Sequence, residues 1–537
     1  MNRILSALIL TVVIFNTSTA QTLPRDTMNV GKILNIIQAE HYNYLDKGDT
    51  TGKFISLAGH ACVKQEKTTF SADSIVLNQK TNILEAYGNI HINDADSIHT
   101  YAQHVKYFGK DKKAFLDTKV KLTDGKGVLT TDNLEYDVQS KLGTYLNGGK
   151  LVNGKTVLTS KEGYYNGNTR DVVFKKKVVL IDPEYKIYTD TLLYNLNTDI
   201  ATFVSPTKIK TGKRTINTSE GWYNLKTKQA SFGKRPFIDD STYTLVADSI
   251  HFDDSSGVGH LRGQVIYSSK DTVGGFDLSA DYLDVNKKTN TVLATNCPVL
   301  TIKQMNDSIY ITADTLYVAP LTELTKSTVV PVLRDSTYKF IKDSSSNRYF
   351  TGYHHVKIFS DSMQAIGDSM FYSLQDSVFR LFYNPIVWSK DNQIMGDTIY
   401  MFTHHKMPEK MRVIENATAI NKLTETYFNQ VSGNLIVADF KEGKMNHIYT
   451  KGSPADNVYY AQNEQNKFIG VNKSTSDVIN VYMVNNKAEK VTFINNLAGT
   501  MYPMGQVNHQ EIKVRHFKWK EELRPKNRFC RGVNTSL

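Results

Sequence analysis

The sequence predicts an all-β protein, an open stacked β-jelly roll built from repeats of about 29 residues in one array or two consecutive arrays. The composition is the first observation, because 537 residues include 30 Tyr and 24 Phe but only 12 Pro. These aromatic residues recur with Thr and Val in short runs, a composition typical of strands. Asp, Asn, Gly and Lys separate the runs, as tight turns require. The second observation is the internal repeat itself.

Each repeat begins at an anchor position that is often acidic and that starts a short strand. In the clearest copy, residues 72–77 (ADSIVL) form the short strand, and after a polar turn residues 83–92 form a longer one. Successive anchors are 28 to 33 residues apart, and this near-equal spacing indicates stacked, equivalent units. The anchors are Glu40, Asp73, Gln103, Asp132, Lys161, Asp190, Glu220, Asp248, Asp281 and Asp314.

The longer strand of each unit contains a residue that we expect to form a bend. Gly88, Thr118, Lys176, Gly263 and Cys297 each stand shortly before the apolar positions with which the strand resumes. Glycine is favoured where the backbone needs a positive φ or passes close to another segment. We therefore predict a corner at these positions and interpret Cys297 as structural.

Side chains alternate along a strand, so parity predicts which of them face the interior. We predict that the inward side chains line one continuous apolar trough. The trough is either a filled core or a groove that holds lipid, and parity alone does not distinguish the two. The predicted groove residues are Ile75, Leu77, Leu84, Ala86, Ile90, Ile92, Leu116, Val120, Leu122, Phe174, Val178, Leu180, Val265 and Tyr267.

Two other repeat architectures fit the period less well. A parallel β-helix has three short strands per coil and no polar turn after each six-residue strand, and a β-propeller repeats at about 40 residues or more. One short strand and one long bent strand suit a V-shaped layer. Antiparallel layers of this kind stack into an open β-jelly roll.

The repeats resemble the OstA-like family, which includes lipopolysaccharide-transport proteins of the LptA type. Residues 84–92 (LEAYGNIHI), set after residues 72–74 (ADS), are similar to the strand signature of that family. Further similarity, to the longer OstA-like proteins of Bacteroidetes-type bacteria, occurs between residues 359 and 400 and in residues 470–474 and 517–526. The resemblance covers nearly all of the chain after residue 20.

The resemblance implies a lipid conduit rather than an enzyme. It implies that the jelly roll shields the acyl chains of lipopolysaccharide or a related glycolipid during transport to, and assembly of, the outer membrane. It also implies partners, namely other lipopolysaccharide-transport proteins that stack on open sheet edges by strand addition. The alternatives are an envelope scaffold of β-repeats that binds no lipid and, less favoured, a β-helix enzyme that acts on polysaccharide.

The first twenty residues resemble a secretory signal peptide. Arg3 provides the positive start, residues 4–15 are mostly apolar, and Ser18 and Ala20 place small residues before a cleavage site at Gln21. We therefore expect export to the periplasm, and the resemblance implies association with the outer membrane. Export argues against a nucleic-acid partner.

The repeats suggest an order of segments. After the signal peptide (1–20), a first OstA-like array occupies residues 21–322 and an irregular segment follows at 323–352. A second array occupies residues 353–505, and residues 506–537 form a basic C-terminal segment. The formal net charge is +11, and eight cations lie in the last 25 residues, so we expect this tail to act as a docking or phosphate-facing element outside the jelly roll. These cations are Lys513, Arg515, Lys518, Lys520, Arg524, Lys526, Arg528 and Arg531.

The sequence predicts no catalytic residues, metal site, cofactor or nucleotide site. None of the GxSxG, HExxH or P-loop patterns occurs. The pairs at residues 354–355 and 404–405 are adjacent histidines, which face opposite ways on a strand and so suit a shared metal poorly. Cys62, Cys297 and Cys530 are widely separated and form no CxxC motif.

Overall fold

The computed structural model describes residues 35–527, apart from 49–51, 66, 95, 97, 271–274, 304–307, 325–347, 405–406, 443, 466 and 485–486. The predicted signal peptide and Cys530 therefore lie outside the described residues. The chain is all-β, as the sequence predicts. It divides into two compact units, Met1–Gly125 and Lys126–Leu537. No helix in the described ranges is long and apolar enough to cross a membrane.

Unit 1 contains seven of the described strands. They are β1 (Asn35–Gln38), β2 (His41–Asp46), β3 (Lys53–Gln65), β4 (Thr68–Asn78), β5 (Ile83–Asp94), β6 (Ile98–Phe108) and β7 (Lys113–Thr123).

Unit 2 contains the other described strands. They are β8 (Gly127–Asp137), β9 (Leu142–Tyr145), β10 (Gly149–Asn153), β11 (Thr156–Ser160), β12 (Glu162–Asn166), β13 (Asp171–Ile181), β14 (Lys186–Asn195), β15 (Ile200–Phe203), β16 (Thr207–Thr211), β17 (Arg214–Thr218), β18 (Glu220–Asn224), β19 (Gln229–Gly233), β20 (Phe237–Asp239), β21 (Tyr243–Val246), β22 (Ser249–Asp253), β23 (Val258–Ser269), β24 (Phe276–Asn286), β25 (Thr291–Thr295), β26 (Val299–Ile302), β27 (Ile309–Thr312), β28 (Thr315–Pro320), β29 (Arg348–Phe359), β30 (Gln364–Ser373), β31 (Val378–Phe382), β32 (Ile386–Ser389), β33 (Asn392–Met395), β34 (Thr398–His404), β35 (Met407–Lys422), β36 (Phe428–Lys441), β37 (Lys444–Gln462), β38 (Phe468–Val484), β39 (Lys487–Ile494) and β40 (Ala498–Pro503). Its short helices are α1 (Leu321–Leu324) and two 3₁₀ helices, Met504–Gln506 and Glu521–Leu523.

The described strands pair in antiparallel fashion, and the long ones bend so that one strand serves two walls. The first half of β13 pairs with β12, and its second half pairs with β11. The sheet that we call wall A of unit 2 contains β9, β12, β15, β18, β19, β22 and β25. The facing sheet, wall B, contains β10, β11, β16, β17, β20, β21, β26 and β27. Antiparallel pairing rules out the parallel β-helix and agrees with V-shaped layers.

The predicted corners are confirmed by the backbone conformation. Lys176 and Lys177 have φ of 62° and 55°, Gly263 is followed by Gln264 at 41°, and Cys297 has φ of 55°. The pairing register shifts at the same places, between Lys175 and Val178 in β13 for example. Two consecutive residues in the left-handed region therefore turn the strand from wall A into wall B.

The anchor carboxylates pack under these corners, which explains why they recur once per repeat. A Cβ added at Gly263 would lie 2.3 Å from Asp248 Oδ2, and the Asp248 N–H donates to the Gly263 carbonyl at 2.9 Å. In unit 1, a Cβ at Gly88 would lie 2.2 Å from Asp73 Oδ2. The corner needs glycine here because the anchor side chain occupies the space that another residue would fill.

The interior follows the predicted parity. Ten of the predicted groove residues are buried: Ile75, Ala86, Ile90, Leu116, Val120, Leu122, Phe174, Val178, Leu180 and Val265. The other four are half-buried: Leu77, Leu84, Ile92 and Tyr267. Positions that are equivalent in the repeat therefore differ in burial from one layer to another.

The irregular segment predicted at residues 323–352 falls largely on residues 325–347, which are outside the described residues. Strand β29 nevertheless begins at Arg348 and pairs with β28 on one side and β30 on the other. The sheet therefore resumes before residue 353, where the sequence places the second array.

The C-terminal segment differs from its expected position outside the jelly roll. Wall B continues into the second array through β29 as the sheet that contains β30, β32, β33, β35, β36 and β37. Residues 507–526, which we call the strap, pack against this part of wall B. Ile512 and Val514 are buried in a cluster with Val458, Tyr460 and Val471. The sequence predicts a tail outside the jelly roll because cations dominate its composition. In the structure, apolar residues at alternate positions of the tail pack against the sheet.

Candidate functional site

Two adjoining cavities lie between wall A and wall B of unit 2, each of about 330 Å³. Both are lined by Arg214, Phe252 and Lys287, so the two cavities meet at these side chains. Each volume lies within the range of roughly 300–1,000 Å³ that is usual for small-molecule sites. We treat the two as one groove, the candidate functional site.

Wall B supplies an aliphatic ladder to the first cavity. Ile187 on β14 lies opposite Ile209 on β16, and Ile209 lies opposite Ile216 on β17. All three are buried and line the cavity. They share a face because each occupies an inward position of its strand, and cross-strand partners stand side by side. Ala230 and Phe232 on β19 of wall A complete this apolar lining.

Aromatic rings form the lining of the second cavity. Tyr243 and Tyr267 stack with ring centroids 5.2 Å apart, and Tyr267 and Phe276 stack at 5.4 Å. Phe276 in turn packs edge-on against Phe350 at 5.3 Å. The row crosses from β21 to β23, β24 and β29, so neighbouring layers of the stack share one aromatic surface.

Charged residues line the groove where the strand ends and turns approach it. Arg214 Nε lies 3.3 Å from Asp240 Oδ2, and both side chains are only 17% exposed. Burial pushes the pKa of Asp240 up, but hydrogen bonds from Thr242 and the charge of Arg214 outweigh burial, so this pKa lies below its ordinary value. Asp240 therefore stays ionised and holds the guanidinium at the junction of the two cavities.

Two tyrosines from opposite walls meet at the first cavity. Tyr185, in the turn before β14, and Tyr223, on β18, have ring centroids 4.9 Å apart in an edge-to-face arrangement. Burial raises the pKa of both phenols. Both therefore stay neutral, and they close part of the groove without adding charge.

The arrangement can hold an amphiphile, with apolar surface inside and charge at the rim. The described residues contain no group of three His, Cys, Asp or Glu that could hold a metal ion. His354 and His355 each lie beside a different carboxylate, Asp368 at 3.2 Å and Asp314 at 2.8 Å. The two histidines have φ of 59° and 53° and form the corner of β29, so the predicted divergence is present but arises from the bend rather than from alternation along an extended strand.

Among the predicted groove residues, Tyr267 lines the second cavity, whereas the others are not part of the lining of either cavity. Three of them, on β13, are instead part of the filled interior: Phe174, Val178 and Leu180. Sequence reasoning missed Ile187, Ile209, Ile216 and Phe252. Strand parity in the repeats at Asp190, Glu220 and Asp248 could have predicted that these side chains face inward. It could not have predicted the width of the gap between the walls.

Fold and groove together define a stacked β-jelly roll with an apolar groove. Residues 35–190 and 186–248 match the family described as OstA-like protein. Over residues 35–248 the chain is therefore similar to the OstA-like family, and the resemblance inferred from the repeats is confirmed there. This segment includes all of the first cavity except Phe252, Asp254 and Lys287.

One solved structure with similarity is LptH from Pseudomonas aeruginosa, the LptA homologous periplasmic component of the conserved lipopolysaccharide transport device. The match covers 21% of this chain and 80% of that chain, at 18% identity and a TM-score of 0.19. A TM-score this low carries no argument about fold or function. No curated protein matches the sequence significantly.

Proposed function

We propose that this protein binds lipopolysaccharide or a related glycolipid, holds its acyl chains in the groove of unit 2, and shields them from water during transport to the outer membrane. The observation that carries the proposal is the pair of adjoining cavities of about 330 Å³ each, apolar inside and charged at the rim. The match of residues 35–248 to the OstA-like family supports it. The role is binding rather than catalysis.

The energetics of acyl chains favour such a site. Each buried methylene contributes about 0.8 kcal/mol, so even a short stretch of chain in the groove gives useful affinity. Ile209, Ile216 and Phe232 offer apolar contact, whereas Arg214 and Lys287 at the junction suit the polar part of an amphiphile. We place the protein in the periplasm, associated with the outer membrane, since the N-terminal sequence resembles a signal peptide.

Open sheet edges support the proposed partners, other proteins of lipopolysaccharide transport. In unit 1, every residue of β2 is exposed, including Tyr42 at 54% and Leu45 at 50%. Among the described strands, β2 pairs with β3 alone. At the other end of the chain, in unit 2, β40 is also mostly exposed, and Met501 is 51% exposed. Either edge could accept a partner strand.

Site-specific photo-crosslinking tests the proposed groove. Phe252 lines both cavities, and its neighbour on β22, His251, is exposed. We expect a photo-reactive residue at 252 to capture lipopolysaccharide in cells and one at 251 to capture little, because the two side chains face opposite sides of the sheet. Equal capture at both positions, or none at either, would favour the alternative of an envelope scaffold that binds no lipid.

A charge placed in the lining provides an independent test. Ile216→Asp puts a carboxylate in the first cavity, where Ile216 is 8% exposed. We expect lipid capture at residue 252 to fall at least tenfold, because an ionised group disfavours acyl chains there. Asn217→Asp, on the exposed face of the same strand, is the matched control and should leave capture unchanged.

A further inference from the structure

One polar atom lies buried in the apolar part of the groove. Tyr185 is 6% exposed and lines the first cavity. Its hydroxyl oxygen is buried and has no hydrogen-bond partner among the described residues. Leaving a buried hydroxyl unpaired costs about 1–3 kcal/mol. Such a group calls for an explanation, since phenylalanine would fill the same space, and a bound ligand that accepts the hydrogen bond provides one.

The ring of Tyr185 faces the interior and lines the first cavity. Tyr185 precedes β14 by one residue and shares the inward parity of Ile187, which is 1% exposed. Its ring contacts Tyr223 of the opposite wall. The ring therefore lies between the two walls and borders the space that the proposed acyl chains would occupy.

The charges around Tyr185 indicate which ligand group fits. Burial and then the charge of Asp182 raise the pKa of Tyr185, and Glu184 adds to the same effect. Glu184 is paired with Lys228, whose Nζ lies 2.9 Å from Glu184 Oε2 and 6.0 Å from the centroid of the Tyr185 ring, so charges of both signs lie beside the phenol. A neutral acceptor needs no net charge there, and the phenol is a good donor because it keeps its proton.

We propose that the Tyr185 hydroxyl donates a hydrogen bond to the carbonyl oxygen of an ester-linked or amide-linked acyl chain. This proposal rests on the function proposed above. Within the acyl groove, Tyr185 is then the residue that distinguishes a chain attached through a carbonyl from a plain alkyl chain. The chemical class of ligand is an acylated sugar lipid.

Two synthetic probes with the same sugar head and the same fourteen-carbon chain test this assignment on the full chain. One carries an amide carbonyl between head and chain, and the other carries an ether link without a carbonyl. We expect Tyr185→Phe to weaken binding of the amide probe about five- to tenfold, the effect of one hydrogen bond, and to leave the ether probe unchanged. The control is Tyr188→Phe, on the outward face of β14, where the ring is 39% exposed; it should change neither affinity.

The outcomes separate the two proposals. If the wild type binds both probes and Tyr185→Phe changes both equally or neither, the carbonyl assignment is wrong while the acyl groove stands. If the wild type binds neither probe, the groove does not take acyl chains, and both proposals fall.

Thermal unfolding provides a second measurement. Removing an unpaired buried hydroxyl should leave the midpoint of Tyr185→Phe unchanged or raise it. A drop of several degrees would show that the hydroxyl is bonded within the protein, which would overturn the assignment.

Discussion

Replacing Gly263 with alanine tests whether the corners are fixed by backbone conformation and by the anchor carboxylate together. Gly263 has φ of +74°, and a Cβ there would lie 2.3 Å from Asp248 Oδ2 and 2.9 Å from Asp248 Cβ. An L-residue in the left-handed region costs about 1–2 kcal/mol. The added methyl group also displaces the Asp248 side chain, which lies 2.9 Å from Arg235 Nη1.

The magnitude follows from these two contributions. The Arg235–Asp248 pair is about half exposed on both sides, and such pairs contribute roughly 0–1 kcal/mol. Gly263→Ala should therefore destabilise the corner by about 1–3 kcal/mol. In Asp248→Ala/Gly263→Ala the conflict with the Asp248 carboxylate is removed and only the 2.9 Å contact with the Cβ of residue 248 remains, so the double variant should cost less than the sum of the single variants.

Amide hydrogen exchange is the suitable assay because a chain of two compact units does not guarantee two-state unfolding. For Gly263→Ala we expect exchange in β22–β24 to accelerate between about fivefold and hundredfold, with other strands unaffected. Gln264→Gly, at the next left-handed position (φ 41°), is the control and should slow exchange or leave it unchanged. Wild-type exchange rates in Gly263→Ala, or fully additive losses in the double variant, would refute this account of the corner.

Three further predictions concern other parts of unit 2. Burial raises the pKa of Tyr145 to about 12, so the folded state keeps a proton that the unfolded chain releases near pH 10, and stability should fall as pH rises from about 10 to 12. Tyr145→Phe should weaken this dependence in urea titrations by the contribution of one phenol, while Tyr185 and Tyr223 keep theirs; an unchanged dependence would contradict the prediction. Gln393→Leu should speed trypsin cleavage of the strap about tenfold by leaving two strap backbone groups unpaired. Gln103→Leu, at an exposed position of β6, should not change cleavage, and equal cleavage in the two variants would contradict the docking of the strap. Cys297→Asn should leave the thermal midpoint unchanged or raise it, since Asn adopts positive φ more readily, and a fall would show that the thiol itself matters.

The docking of the strap shows what the sequence did not reveal. Gln393 is completely buried; its Nε2 donates to the Lys518 carbonyl at 2.6 Å, and its Oε1 accepts from the Lys520 N–H at 2.8 Å. Gln430 accepts from the Val514 N–H at 3.0 Å. In sequence these glutamines look like ordinary strand residues. Their partners are 84 to 127 residues away, so no local pattern connects them.

A cross-strand row carries these contacts. Gln364, Trp388, Gln393, Ile420, Gln430 and Val458 lie side by side across six strands of wall B. Their parity is opposite to that of the groove residues, so the strap covers the outer face of the wall. Buried amides are stable only when bonded, and the strap backbone provides those bonds. The sequence shows eight cations near the end of the chain, and this composition predicts that the segment lies in solvent.

The sequence by itself determined the repeat, the alternation of inward and outward side chains, and the corners, because each depends on a few neighbouring residues. Positive φ at Lys176 and Cys297 follows from the position of those residues in the repeat, and the burial of Phe174 and Val265 follows from strand parity. Only the tertiary structure decided where the interior is filled and where it is a cavity. The gap between the walls depends on which side chains from separate strands meet across it, as Tyr185 and Tyr223 do, and the sequence does not show that pairing.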